Sequence, residues 1–218
     1  MCTYSYVEKY REVDFEKKLN CILQNQKSWS IRRLSFKDGN LYKNNLLMIA
    51  SILNNLDFKW NATTHIDESM TLEDFKRLQS SGCDNLEIGV ESIHTHVQKL
   101  IGKVYPIKSI EKYIETGVEA NITLVINLIF GFPNETKEEA HRQLEWFEKI
   151  KKIYKEKVYG SFNMLEINYG SRMARYPSEY EITLGKMGPW SFSYPWNAPT
   201  WRKEFAPLII SKNLETLF

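Results

Sequence analysis

No stretch of this sequence is long and apolar. The longest such run, Leu124 to Phe130 with Asn127 inside it, falls far short of the roughly 18 residues that a membrane span requires. The N-terminus has no secretory hydrophobic region, so the expectation is a soluble, cytoplasmic chain with no membrane partner. Cysteine is scarce. The three present, Cys2, Cys21 and Cys83, are widely separated and odd in number, which fits reduced thiols better than a disulfide framework. No complete metal-binding cysteine motif lies within the chain, and no His/Cys/carboxylate set has zinc-like spacing. One-sided charge is missing too: Lys and Arg total 29 against 27 Asp and Glu, a net charge of +2. With no basic stretch interleaved with aromatics, there is no nucleic-acid signature. A length of 218 residues suffices for one substantial core but is short for a complete eight-unit barrel of about 250.

What is present is repeated alternation of helix and strand. Phe15, Leu19, Ile22 and Leu23 predict a helix over 14–26, followed by a strand over 31–36 and a turn at Asp38-Gly39-Asn40. The cycle recurs with a helix over 43–55, a strand over 58–62 and a helix N-capped by Thr71, with Asp74 three residues on. Gly82 stops that helix, a strand follows over 85–89, and helices over 93–101 and 108–116 lead to Gly117 as a second stop. The next strand, 122–130, is apolar nearly throughout and is expected to be buried on both faces. Thr136 and Glu139 have capping-box spacing at the start of a helix over 137–154, before a last strand over 161–167. The pattern reads as an α/β fold of parallel strands joined by right-handed crossovers. Beyond Tyr169 periodicity fails, and Trp190, Phe192, Tyr194, Trp196 and Trp201 crowd a Pro/Gly/Ser-rich stretch. Residues 171–218 therefore read as an irregular C-terminal extension rather than another strand–helix unit, with packing over the open barrel side as its simplest role.

Ligands in parallel α/β sheets and barrels bind where loops leave the C-terminal ends of strands. Those positions here are Asp38-Gly39-Asn40, His65-Ile66-Asp67, Glu91-Ser92, Gly131 to Thr136, and Glu166 to Tyr169. Carboxylates, amides and hydroxyls around one mouth suit a ligand rich in amino, hydroxyl and carboxylate groups, such as a nucleoside joined to an amino acid. Plainer readings stand beside this one. Glu91 is equally a helix-capping carboxylate, Gly131 to Thr136 a simple strand-to-helix turn, and Cys2 an inert terminal thiol. An unrelated barrel enzyme using His65, Asp67 and Glu91 for acid–base chemistry is a further alternative.

Gly89-Val90-Glu91-Ser92 after Ser81-Gly82-Cys83, followed by Gly131-Phe132-Pro133-Asn134-Glu135-Thr136, resembles the GC…GxES…GFPGET pattern of radical S-adenosylmethionine (SAM) proteins. Phe36-Lys37-Asp38 and Tyr10-Arg11 are similar to an FxD strand and a YR helix start in the subgroup that often carries an N-terminal cobalamin-binding domain. The resemblance implies a partial (β/α)6 TIM-like barrel over 2–170 that lacks its first strand. It also implies SAM and a [4Fe–4S] cluster as cofactors, with cobalamin possible through an additional N-terminal domain. Such enzymes cleave SAM reductively to a 5′-deoxyadenosyl radical, which would here modify a small-molecule or peptide substrate.

Carried over by the resemblance, Glu91 and Ser92 lie by the ribose or methionine part of SAM. Gly131, Phe132, Pro133 and Glu135 line its adenine side, Asp38 lies near its amino group, and Cys2 is an iron ligand. Cys2 stands where the last of three cluster cysteines falls; the first two are absent, so the chain reads as N-terminally truncated and without a stable cluster of its own. Lys37-Asp38-Gly39 stands where many relatives have Gly-Gly-Glu, and His65 where arginine is frequent. Asn134 replaces the usual glycine and is among the few residues that accept left-handed backbone angles. The alternative within this likeness is a cluster-less SAM-binding or scaffold domain.

Overall fold

The computed structural model describes residues 15–215, except for some side chains of the first helix and those of residues 38–40. Five parallel strands stand side by side in chain order: β1 (Arg33–Leu41), β2 (Lys59–Thr64), β3 (Cys83–Glu91), β4 (Thr123–Phe130) and β5 (Val158–Met164). Before them lies α1 (Phe15–Trp29); between them lie α2 (Lys43–Leu53), α3 (Leu72–Ser80), α4 (Thr95–Ile101), α5 (Ile107–Glu119) and α6 (Lys137–Tyr154). When every strand pairs with its successor and crossovers share one hand, the helices gather on one face and the sheet curls. The result is the parallel α/β fold expected from the alternation, curled into the partial barrel that the resemblance implies.

Thr71 and Thr136 cap α3 and α6 as their spacing predicts. The Thr71 hydroxyl accepts from the Asp74 amide at 3.2 Å, and the Glu139 carboxylate accepts from the Thr136 amide at 2.9 Å. On the convex side Leu86, Ile88, Leu124, Ile126, Leu128 and Phe130 are buried against the helices. The helices answer with Leu46, Ile49 and Leu53 of α2, Phe75 and Leu78 of α3, Ile110 and Ile114 of α5, and Leu144 and Phe147 of α6. Burying each such side chain contributes about 1.5–3 kcal/mol.

β4 corrects one expectation. Its even-numbered positions are buried, but Thr123, Val125, Asn127 and Ile129 are only half-buried. The five strands among the described residues do not close a barrel, so their concave face stays partly open and alternation returns. That face is polar. Lys37 pairs with Glu87 at 2.5 Å, Asn127 donates to Glu87 at 3.1 Å, and Ser35 donates to Asn61 at 2.5 Å.

Other boundaries move for local reasons. Asp38-Gly39-Asn40 is not a turn; β1 continues through it to Leu41, with the register against β2 slipping between Phe36 and Leu41. Gly117 does not stop α5, which runs on to Glu119 before Asn121 takes a positive φ of 65°. Gly117 instead allows close packing, since a Cβ there would lie 3.1 Å from Leu124 and 3.3 Å from Phe75. The last strand begins at Val158, three positions earlier than expected and immediately after a short 3-10 turn, Lys155–Lys157.

The C-terminal region is more ordered than its composition suggests. A two-residue strand β6 (Ile167–Asn168) pairs antiparallel with β7 (Ser193–Tyr194), a short α7 (Arg172–Arg175) lies between them, and α8 (Arg202–Glu215) packs on β5. The stretch read as irregular thus ends in the helix that completes a fifth strand–helix unit. Phe205 and Ile209, four apart, supply its buried stripe, a period too short to read beside so many aromatics. Among the described residues no helix is long and apolar enough to cross a membrane.

Candidate functional site

The mouth of the sheet, where the strands end, collects most of the residues that sequence singled out. Cys2 lies outside the described residues, as do Tyr10 and Arg11. Asp38 lies within β1, and its side chain is not among those described. At the end of β2, His65 is half-buried, with the Tyr42 ring edge-on at 4.7 Å and an Nδ1 that has no partner among the described residues. Burial, helped by the charge of Lys103 and opposed by Asp67, holds its pKa below the ordinary imidazole value. The Asp67 carboxylate accepts from the Ser69 amide at 2.9 Å and the Ser69 hydroxyl at 2.6 Å.

β3 ends under strain. Glu91 has a φ of +64°, a left-handed conformation that costs a non-glycine residue about 1–2 kcal/mol, and the β3–β4 register slips between Gly89 and Glu91. Its carboxylate pairs with Lys103 at 2.9 Å. The pair crosses the strand end above Gly89, where a Cβ would lie 2.8 Å from Glu91 Oε1 and 3.1 Å from Lys103 Nζ. Glu91 is therefore an ion-pair partner within the mouth, and not a helix cap. Ser92 is fully buried; its hydroxyl accepts from the His94 amide at 3.1 Å and its carbonyl accepts from Gln98 at 2.8 Å. Gln143 accepts from the Ile93 amide at 3.0 Å and donates to the Ile129 carbonyl at 3.1 Å, tying the β3 loop to β4. Ser92 thus shapes the loop from beneath while Glu91 faces the mouth.

The β4 loop is packed differently. Gly131, Phe132, Pro133 and Glu135 are all buried. Gly131 has a φ of +81°, and Asn134 takes the left-handed value of 63° that its residue type tolerates. Phe132 sits in a separate apolar cluster with Val97, Leu165, Ile167, Met173 and Tyr180. One oxygen of Glu135 accepts from the Gly131 amide at 2.5 Å and the Phe132 amide at 3.0 Å, while Oε1 has no partner among the described residues. Burial dominates its charge, pushing the carboxyl up to about 7 against the opposing pull of these amides and of Arg202. With both amides committed to Glu135, the loop offers a ligand a fixed surface and few donors.

Sequence reasoning missed Lys103 and Arg202. Lys103 follows Gly102 in an ordinary helix–helix connection, with no local pattern to mark it. Arg202 lies in the aromatic stretch, where its partners are visible only once the chain is folded. Glu166, noted by position, lies near enough to Arg202 to favour its charge. The tail aromatics divide: Trp196 and Trp201 pack inward, whereas Trp190 and Phe192 are 93% and 86% exposed.

Among the described residues no group of three or more His, Cys, Asp or Glu is placed to hold a metal. Cys83 is buried, and loss of solvation drives its thiol pKa far up, away from the thiolate that iron requires. The described residues therefore do not fit an iron–sulfur cluster. What the mouth does offer is polar organic chemistry, the carboxylate of the strained Glu91 and the imidazole of the half-buried His65.

A family model described as the Radical SAM superfamily matches residues 1–147. Among curated proteins, an uncharacterized methyltransferase of Pyrococcus horikoshii is 25% identical over 130 residues, covering 59% of this chain and 27% of that protein. The oxygen-independent coproporphyrinogen III oxidase of Helicobacter pylori is 31% identical over 81 residues, covering 37% of this chain and 18% of that protein. The chain thus spans only a minor part of the length of these relatives. Among solved structures, the radical S-adenosylmethionine methyltransferase TsrM of Kitasatospora setae, with cobalamin and a [4Fe-4S] cluster bound, aligns with a TM-score of 0.61 at 15% identity, covering 79% of this chain and 37% of that one. Coproporphyrinogen III oxidase (HemN) of Escherichia coli aligns at 0.59 and 16% identity, covering 94% and 47%. The cobalamin-dependent S-adenosylmethionine radical enzyme OxsB aligns at 0.63 and 16% identity, covering 82% and 33%. At these identities the structural likeness establishes the fold.

Proposed function

Because the chain belongs to the Radical SAM superfamily, we propose that its barrel mouth binds SAM within an enzyme that modifies a small-molecule or peptide substrate. The observation that carries this reading is the pair of positive-φ residues, Glu91 at +64° and Gly131 at +81°, at the ends of adjacent parallel strands. Unusual backbone angles held by surrounding structure concentrate at ligand sites, and these two fall inside the motif pair that resembles the family. When bound, SAM is the source of the 5′-deoxyadenosyl radical that the family uses for hydrogen abstraction.

The chain's residues bind, orient and exclude water. Glu91, held by Lys103, presents a carboxylate oxygen to the hydroxyl or amino groups of the ligand, the stronger kind of hydrogen bond because one partner is charged. Asp38, within β1, is the residue that the family resemblance assigns to the amino group of the ligand. Phe132 and Pro133, with the tail behind them, keep water from the adenine side, while Ser92, Gln98 and Gln143 hold the β3 loop in register beneath. A [4Fe–4S] cluster would take its ligands from outside the described residues, with Cys2 as the one this chain would contribute. Cobalamin, named in the structures of TsrM and OxsB, would be held by a further domain.

Calorimetric titration of the protein with SAM tests the reading. Saturable one-to-one uptake is expected, weakened about tenfold or more by Glu91→Gln, which keeps the side-chain shape and removes the charge. Absence of binding to the unaltered protein overturns it.

A further inference from the structure

Several side chains of the C-terminal region reach the β4 loop, and Arg202 lies directly on it. Arg202, the first residue of α8, lies against Gly131 so closely that a Cβ there would stand 2.5 Å from its Nε, 2.7 Å from Cδ and 2.9 Å from Cγ. Its guanidinium donates to the Leu165 carbonyl at 2.5 Å, just past β5, and lies 5.0 Å from the centre of the Trp196 ring. The neighbouring Trp201 indole donates to the Glu135 carbonyl at 3.2 Å. Lys137 and Glu204 pair at 2.6 Å, and Asn134 donates to Glu181 at 3.1 Å, so contacts to the region after β5 continue along the loop into α6. Two fully buried polar atoms, Glu135 Oε1 and Arg202 Nε, have no hydrogen-bond partner among the described residues. A half-buried cation without a full set of acceptors is costly, and its place beside the loop calls for a return in another quantity.

We propose that Arg202 is a positioning residue, locking the Gly131–Glu135 loop against the C-terminal region so that SAM affinity depends on that region being docked. This rests on the reading of the mouth as a SAM site and adds to it a part of the chain beyond the family match at 147. The absence of a side chain at Gly131 gains a second reason. Besides its φ of +81°, the position must leave room for the arginine stem. Glu135 is faced by two charges, Glu139 of α6, which opposes its ionisation, and Arg202 of α8, which favours it; Arg202 is faced in turn by Glu166. Removing the arginine charge therefore raises the pH at which Glu135 titrates, a change that simple loss of packing does not produce.

The test compares the full protein with Arg202→Met, which keeps most of the stem, and Arg202→Lys, which keeps the charge. Amide exchange and SAM calorimetry are followed across pH. In Arg202→Met, exchange at Gly131 and Phe132 is expected to rise about tenfold or more, SAM affinity to fall by a similar factor, and the pH profile of exchange to move upward. Arg202→Lys is expected to keep the wild-type profile. Unchanged exchange and profile in Arg202→Met overturn the positioning role. Raised exchange with unchanged affinity overturns the coupling to SAM. If the unaltered protein binds no SAM, the cofactor reading and the coupling fall together, while exchange still decides whether Arg202 positions the loop.

Discussion

The ends of β3 and β4 are neighbours, yet they are built on opposite principles. The β3 end is held by charge: Glu91 pairs with Lys103 across the mouth, with side chains 18% and 26% exposed. The β4 end is held by packing and committed amides, with Gly131, Phe132, Pro133 and Glu135 buried beneath the C-terminal region. An ion pair still in partial contact with water is rearranged more easily than apolar packing, whereas a packed loop cannot shift without opening a cavity. On the proposed reading, the β3 end serves adjustable recognition and the β4 end a fixed wall.

Gly131→Ala gives the contrast its hardest blow. Strain at positive φ adds to the displacement of Arg202 from a Cβ 2.5 Å from its Nε, so a loss of about 2–4 kcal/mol is expected by denaturant unfolding. A loss under about 0.5 kcal/mol would remove the packed-wall description.

Next is Glu135→Gln. The folded carboxyl, pushed up to about 7 by burial, lies above its unfolded value. The folded state therefore holds this proton more tightly than the unfolded one. The associated stability is full below the unfolded pKa and is lost as pH rises through about 7. The wild type should lose of order 2–3 kcal/mol from this group between about pH 4 and 8, and the glutamine variant should lack that component of the slope in urea unfolding followed across pH.

Lys103→Met tests the other side. Because the pair is partly exposed, stability should fall by about 1 kcal/mol or less, while SAM affinity should fall more as Glu91 loses its anchor. A large stability loss with unchanged affinity would make the β3 end a structural brace.

The smallest effect is expected at His65. Its pKa is lowered chiefly by burial, so the folded state resists protonation and stability declines as pH falls through the unfolded histidine range. His65→Asn should remove that decline and change little at neutral pH.

Much of this molecule was legible because its signals are local. Helix starts at Thr71 and Thr136 follow from hydroxyl and carboxylate spacing, and the strand-end positions of Glu91 and Gly131 follow from alternation of apolar runs with turns. The errors share a different cause. β4 looked sealed on both faces because apolar content does not say how many strands close a barrel. Gly117 looked like a stop because a glycine needed for close packing has the same letter as one needed for a turn. The aromatic stretch hid α8, whose stripe rests mainly on Phe205 and Ile209.

By itself the sequence determined the parallel α/β order, the helix caps and the strand ends where a ligand would sit, since each depends on residues a few positions apart. Only the tertiary structure decided that Lys103 holds Glu91, that Gln98 and Gln143 brace the β3 loop, and that Arg202 lies on Gly131. Gln143 is 50 residues from Ile93, and Arg202 is 37 from Leu165. Contacts of that kind follow from how helices and a closing tail pack on a curved sheet, a property of volume and shape that no local spacing carries.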